Sequence, residues 1–434
     1  MQNLEDIKKR AAWFLEDRFG IFIHFGLYAI PGRGEWIRNR EKMTIEDYKR
    51  YFERFNPIDF DAKRWAKDIK KSGAKYVVLT AKHHDGFCLF DSQYTDYKST
   101  KTPFGRDLVR EFLEAARQEG LKVGLYFSLI DWYHPDFPKY EDRHHPMRAN
   151  EAYKNEEINF DNYLDFMHKQ VEELVTNYGK LDIMWFDFSY DDMTGQKWRA
   201  SELVKTVRQH QPDILIDNRL EGSGEDFGSF LTDEIKDYAG DFINPEQALP
   251  FEGIRNNKGD LLPWELCLTM NYNWGYHADD TNYKSAKVLI RKLVECVSKG
   301  GNLLLNVGPD ARGNFPDQSL NILAEIGQWM ALNAESIYGA SMAAYPKPEW
   351  GYYTQNKDYL YAHIFDQTMG PLPLVGIDQD AIDFVDRLAD YAEVQISSLW
   401  SVKAYDETFL AIPEDLTSRN VLNDIDTVLR IKLR

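Results

Sequence analysis

Short apolar runs alternate with longer amphipathic segments from about residue 19 to residue 338, the pattern of parallel strands joined by helical crossovers. The runs FGIFIHFG (19–26), KYVVLTAKHH (75–84), KVGLYFSL (122–129), DIMWFDF (182–188), DILIDNR (213–219), WELCLTM (264–270) and GNLLLNVG (301–308) predict strands. An eighth, near 230–243, has no visible pattern. Between the runs, apolar residues near i, i+3, i+4 spacing predict helices over 59–72, 105–119, 158–178, 197–210, 284–299 and 317–334. Gly73 and Gly120 stand just past two of them, as helix stop signals do. The alternation favours an α/β fold, a (β/α)8-like TIM barrel over 1–340, with an open doubly wound sheet as its rival.

After Tyr338 the texture changes. YLYAHIFD, AEVQISSLW, TFLAIP and TVLRIKLR read as alternating strands between Pro, Asp and Asn turns, and only 379–390 reads as helix. This predicts a C-terminal β-sandwich over 345–434, with the boundary near 340–350 in the loop AAYPKPEWG.

Composition narrows the class. The formal charge is −18 and no cluster of Lys and Arg interrupts it, which argues against a nucleic-acid partner. The first twenty residues mix charges without an apolar stretch fit for a signal peptide or a membrane span, and Cys88, Cys267 and Cys296 are few, scattered and odd in number. The expectation is a cytoplasmic protein with reduced thiols and no membrane partner. Aromatics reach 14% of the chain, enough to line a sugar pocket as well as to fill a core.

In a barrel of parallel strands the reactive groups sit at the strands' carboxyl ends. Here the runs end in His24, in His83 and His84, in Tyr126 with Ser128 beyond, in Asp187, in Asn218 and Arg219, and in Asn306. A single such residue is a cap or a loop anchor; six strands ending this way suggest a site. Asp187 lies among Trp185, Phe186 and Phe188, a carboxylate at a strand mouth between aromatic faces. Glycoside cleavage requires a second carboxyl group, about 5 Å away when configuration is retained. Glu234, Asp241, Glu246 and Glu265 are the candidates. Glu246 ranks first because its Pro-containing loop follows the fifth strand, and Glu265 second because it opens a strand, at the end away from the chemistry.

His83, His84 and Asp85 invite a metal reading, but neighbouring strand residues face opposite ways, and hydrogen bonding to sugar hydroxyls suits neutral imidazole better. No metal or other cofactor is expected. Glu35 and Trp36, after the first strand, pair an acceptor with an aromatic wall. Nucleophile-elbow, phosphate-loop and zinc-finger spacings are all missing from the chain.

Taken in order, HFG (24–26), GEW (34–36), KHHDGF (82–87), WFD (185–187), DNR (217–219), PEQ (245–247), NWGY (273–276) and SKGGNLLLNVGP (298–309) resemble glycoside hydrolase family 29, the α-L-fucosidases, over about residues 10–340. The resemblance implies a (β/α)8-like barrel followed by a β-sandwich, and retaining catalysis by double displacement; a cytoplasmic location suggests small fucosylated oligosaccharides as substrates. It implies that Asp187 is the nucleophile and that His24, Glu35, Trp36, His83, His84, Tyr126, Trp185 and Arg219 contact fucose, with Trp274 of the NWGY segment counted among them. Glu246 matches the branch that carries its acid/base in a PEQ segment, with Glu265 in reserve. Phe188 stands where the family commonly has a small residue. A homo-oligomer is a further expectation. Two rivals remain: a metal-dependent barrel hydrolase or sugar isomerase using His24, His83, His84 and Asp187, and a non-catalytic carbohydrate-binding protein on the same scaffold.

Overall fold

The computed structural model describes residues 1–222, 226–412 and 422–434. The apolar runs form seven parallel strands: β1 (Phe19–Ile23), β2 (Tyr76–Lys82), β3 (Lys122–Ser128), β4 (Ile183–Asp187), β5 (Leu215–Ile216), β6 (Glu265–Thr269) and β7 (Asn302–Val307). Their order is β5-β4-β3-β2-β1-β7-β6. The strands are buried on both faces, so they read as continuous apolar sequence, yet the period of two still sorts them. Phe22, Tyr76, Val78, Tyr126, Ile183, Trp185, Leu215, Cys267 and Leu304 share one inner cluster, with every strand contributing. Their neighbours Ile21, Val77, Leu125, Met184, Ile216, Leu266 and Leu303 face the helices in the main core. A sheet whose every strand meets one interior cluster is curled, and each fully buried side chain contributes roughly 1.5–3 kcal/mol.

The crossover helices form where the periodicity places them: Ala62–Lys71, Leu108–Gln118, Phe160–Asn177, Ala200–His210, Ala286–Ser298 and Asp317–Asn333. Asp61, Asp107 and Ser285 cap three of them through side-chain oxygens. Gly73 ends its helix at φ +89°, a conformation that L side chains resist.

All seven visible runs form strands. The regular sheet is a curled parallel half-barrel of seven strands, and the stretch predicted near 230–243 holds a 3-10 turn, Gly228–Leu231. Past that turn the chain runs between β5 and β6, and its backbone pairs with that of its neighbours through isolated parallel bridges, Asp217–Phe242, Ile243–Trp264 and Glu246–Cys267. Two residues keep it from becoming a regular strand. Gly240 has φ +88° against the Asp217 carbonyl, and Pro245 has no N–H to give to a ladder.

Beyond Asn333 the pairing becomes antiparallel. Strands β8 (Ser341–Met342), β9 (Gly351–Gln355), β10 (Leu360–Ile364), β11 (Leu372–Leu374), β12 (Ile382–Arg387), β13 (Ala392–Glu393), β14 (Thr408–Leu410) and β15 (Thr427–Leu433) form a six-stranded sheet, β13-β12-β15-β10-β9-β8, and a ribbon, β11-β14. Both feed one core that includes Leu360, Leu372, Val385, Leu410 and Ile431. Pro413, the last residue of the TFLAIP segment, lies outside the described residues.

The helix expected over 379–390 is instead β12, entered by a 3-10 turn at Gln379–Ala381. A β-bulge between Ile382 and Phe384 inserts one residue, so the buried Ile382 and Val385 fall three apart and imitate a helical stripe.

Candidate active site

The carboxyl ends of the parallel strands surround a cavity of about 420 Å³. Asp187, the last residue of β4, sits at its floor. Tyr126, from the adjacent β3, donates its hydroxyl to Asp187 Oδ2 at 2.9 Å, and the Phe188 amide donates to Oδ1 at 2.9 Å. Phe188 itself takes φ +78°, an uncommon conformation for an aromatic residue.

Arg219 follows β5 in a short 3-10 turn, Asn218–Leu220, and its guanidinium joins two carboxylates. Nη1 lies 3.6 Å from Asp187 Oδ1 and Nη2 lies 3.2 Å from Glu246 Oε2. Nη2 also donates to the Asn244 carbonyl at 3.2 Å, and the Trp185 ring lies beneath the charge with its centroid 5.2 Å away. Side-chain exposure is 5% for Arg219, 21% for Asp187 and 39% for Glu246, so the cation is enclosed while both carboxylates face the opening.

These surroundings set the charges. Burial, with a further push from the Glu246 charge, raises the Asp187 carboxyl to about 6 even though Arg219 opposes it. The two acids raise the Arg219 guanidinium and keep it charged despite its burial. Burial holds the His24 imidazole down at about 3 and keeps His83 and His84 neutral as well. The side-chain amide of Asn306 donates to the Trp274 carbonyl at 2.7 Å, so its oxygen accepts from His24 Nδ1 at 2.7 Å. That bond fixes the tautomer and leaves Nε2 of His24 as an acceptor. Glu35 accepts from the Gly275 amide at 2.8 Å, and burial raises its carboxyl.

The sequence candidates His24, Glu35, Trp36, His83, Tyr126, Trp185, Asp187, Arg219, Glu246 and Trp274 all line this cavity. His84 does not line it; its ring is stacked on Trp132 at 3.9 Å and lies behind His83 at 3.9 Å, so it supports the wall. Glu265 is at the opposite end of β6, fully buried, accepting from the Tyr76 hydroxyl at 2.5 Å. Asp241 is also buried, and Arg10 and Arg208 both pair with it. Glu234 is exposed at a bend. Among the described residues no group of three or more His, Cys, Asp or Glu side chains is arranged to hold a metal ion.

Several lining residues escaped the sequence reading. Phe22 and Cys267 point inward one residue before the end of β1 and two before the end of β6, positions that strand alternation could have shown. Arg143 and His144 come from the irregular segment 129–159, where no period exists to read. Tyr190 comes from the loop after β4 and donates its hydroxyl to Asp142 at 2.5 Å, which ties the two loops together.

Two carboxylates around one enclosed cation, in an aromatic pocket at the carboxyl end of a parallel sheet, define a glycoside hydrolase. The profile of the alpha-L-fucosidase family matches residues 1–335. The chain is 33% identical over 359 residues to an alpha-L-fucosidase of Dictyostelium discoideum, covering 76% of this chain and 71% of that one. It is 31% identical over 358 residues to the plasma alpha-L-fucosidase of Homo sapiens, covering 77% and 70%. Its fold is similar to that of alpha-L-fucosidase isoenzyme 1 from Paenibacillus thiaminolyticus, with a TM-score of 0.94 and 54% identity over 99% of both chains. It is also similar to a trapped covalent intermediate of a family 29 alpha-L-fucosidase from Bacteroides thetaiotaomicron in complex with 2-fluoro-fucosyl fluoride, with a TM-score of 0.82 and 29% identity, covering 100% of this chain and 97% of that one. The chain belongs to the alpha-L-fucosidase family, glycoside hydrolase family 29.

Proposed function

We propose that the protein is a retaining exo-acting α-L-fucosidase that removes terminal fucose from small fucosylated oligosaccharides, with Asp187 as nucleophile and Glu246 as acid/base. The observation that carries this reading is the single guanidinium of Arg219 placed between the two carboxyl groups. In the first step an oxygen of Asp187 bonds to the anomeric carbon as the glycosidic bond breaks, and Glu246 gives its proton to the departing oxygen. In the second step Glu246 takes a proton from water, which displaces Asp187 and restores the original configuration. Tyr126 and the Phe188 amide hold the attacking carboxylate, and Arg219 favours its charged form.

Neutral His24 offers Nε2 to a sugar hydroxyl, Glu35 and His83 offer further polar groups, and the faces of Phe22 and Trp274 are available to the C5 methyl group. Such an apolar contact contributes about 1–3 kcal/mol, so slower turnover of related sugars is expected. No step requires a cofactor. Labelling with a fluorinated fucosyl donor followed by peptide mapping tests the assignment: the label belongs on Asp187, and a label elsewhere or a product of inverted configuration overturns it.

The isolated bridges of 242–246 support reading that segment as the eighth stave of a (β/α)8-like barrel spanning 1–340, followed by a β-sandwich over 345–434. Limited proteolysis yielding a stable fragment that ends near 340–350 is the expected result. The free and buried thiols of Cys88, Cys267 and Cys296 suit a reducing compartment, and we place the enzyme in the cytoplasm as a homo-oligomer. Cell fractionation and sedimentation check both points.

A further inference from the structure

Beneath Arg219 the protein interior holds polar atoms with no protein hydrogen-bond partner: Asp217 Oδ2, Arg219 Nε and Asn244 Oδ1. Asp217 is the acid among them. It is fully buried where β5 leaves β4, and its Oδ1 accepts the amide of Phe186 at 2.9 Å, one residue before the nucleophile. There the carboxyl takes the place of a ladder hydrogen bond, because the sheet pairing of β5 with β4 ends at Ile216. No cation lies within ion-pair distance of Asp217 among the described residues, while Arg219 is already shared by Asp187 and Glu246.

We propose that Asp217 is a positioning residue for the nucleophile and that it works as a neutral carboxylic acid, anchoring the Phe186 amide while leaving the Arg219 charge to Asp187 and Glu246. The inference rests on the reading of Asp187 as nucleophile. A buried carboxylate with one unsatisfied oxygen and no counter-ion is costly, whereas the protonated form turns that oxygen into a donor, for instance to an internal water. The ionisable groups that act on Asp217 are Arg219, which favours its charge, and Asp187 and Glu265, which oppose it; burial is the largest influence and raises its carboxyl well above the ordinary range. A third negative charge here would compete for the one guanidinium and make Asp187 harder to ionise.

Asp217→Asn keeps the acceptor and a donor but can never be charged. It is expected to fold, to keep kcat/KM within about threefold of the parent, and to leave the acid limb of the pH profile in place. Asp217→Ala loses the anchor, and kcat is expected to fall at least about tenfold with a smaller change in KM. Should the alanine variant not fold, Asp217→Ser, too short to reach the Phe186 amide, gives the same reading. Infrared difference spectra of parent against Asp217→Asn at neutral pH should show the carbonyl band of a protonated acid in the parent alone. An acid limb that moves to lower pH in Asp217→Asn, a missing band, or an unchanged kcat in the short variants overturns the proposal. Fluorofucosyl labelling of the parent at a residue other than Asp187 would instead overturn the reading beneath it.

Discussion

The hydroxyl of Tyr126 lies 2.9 Å from Oδ2 of Asp187, donated across a strand pair whose register sets Tyr126 beside Trp185. With the Phe188 amide on Oδ1, both oxygens of Asp187 are held before substrate arrives. The bond also favours the charged carboxylate. Tyr126→Phe should therefore raise the pH at which activity is lost on the acid side and lower kcat by about 10–100-fold, read from a pH profile of kcat/KM.

As the proposed nucleophile Asp187 must be ionised to attack, and in the free pocket its carboxyl is raised to about 6. Activity is thus full above that pH and is lost as pH falls through it. Arg219 pulls the value down, so Arg219→Ala should move the acid limb upward as well as reducing kcat/KM by about a thousandfold. Glu246→Gln removes a negative neighbour and should move the limb downward. Limbs moving in the same direction in both variants would contradict the shared-cation arrangement.

Asp187→Ala should abolish nearly all turnover on every substrate. Glu246→Ala should cost about 10²–10⁴ on a fucosyl disaccharide and far less on an activated aryl fucoside, whose leaving group needs no proton. Glu265 is a control: its carboxyl, raised to about 8 by burial and bonded to Tyr76, lies at the far end of β6. Glu265→Gln should leave the dependence on leaving group as it is in the parent. A disaccharide defect in that variant and none in Glu246→Ala would exchange the roles.

A metal-dependent hydrolase or isomerase on this scaffold predicts stoichiometric metal and loss of activity on chelation. The recessed His84 and the pairing of Asp187 with the Arg219 cation predict the reverse. Full activity after dialysis against a chelator, with elemental analysis of the same sample, is the expected result.

In the C-terminal sheet, His363 and Asp426 form a fully buried pair at 2.7 Å, and His363 Nε2 bonds Thr354 Oγ1 at 3.0 Å. That hydroxyl donates to the Ser336 carbonyl at 2.8 Å, which ties the sheet to the turn after the last helix. His363→Ala strands a buried acid and should lower unfolding stability by about 3–5 kcal/mol in a denaturant titration, with activity per folded molecule unchanged.

Local rules go a long way in this chain. Strand-end positions such as His24, Tyr126 and Asp187 could be read because an apolar run fixes both the strand and where it stops. Alternation fails at β12, where a bulge imitates helical spacing, and between β5 and β6, where Gly240 and Pro245 leave only isolated bridges. Arg143 and His144 approach the pocket from an irregular loop, and nothing periodic points to them.

By itself the amino-acid order determined the strands, the crossover helices and the residues at the pocket's floor, because each follows from short-range periodicity and sterics. Which carboxylate joins Asp187, and with what charge, was settled only by folding. Glu246 and Glu265 lie nineteen positions apart and are chemically alike, yet one is brought to Arg219 and the other to Tyr76 at the far end of β6. Proximity and burial set how a carboxyl ionises, and both are properties of the assembled sheet.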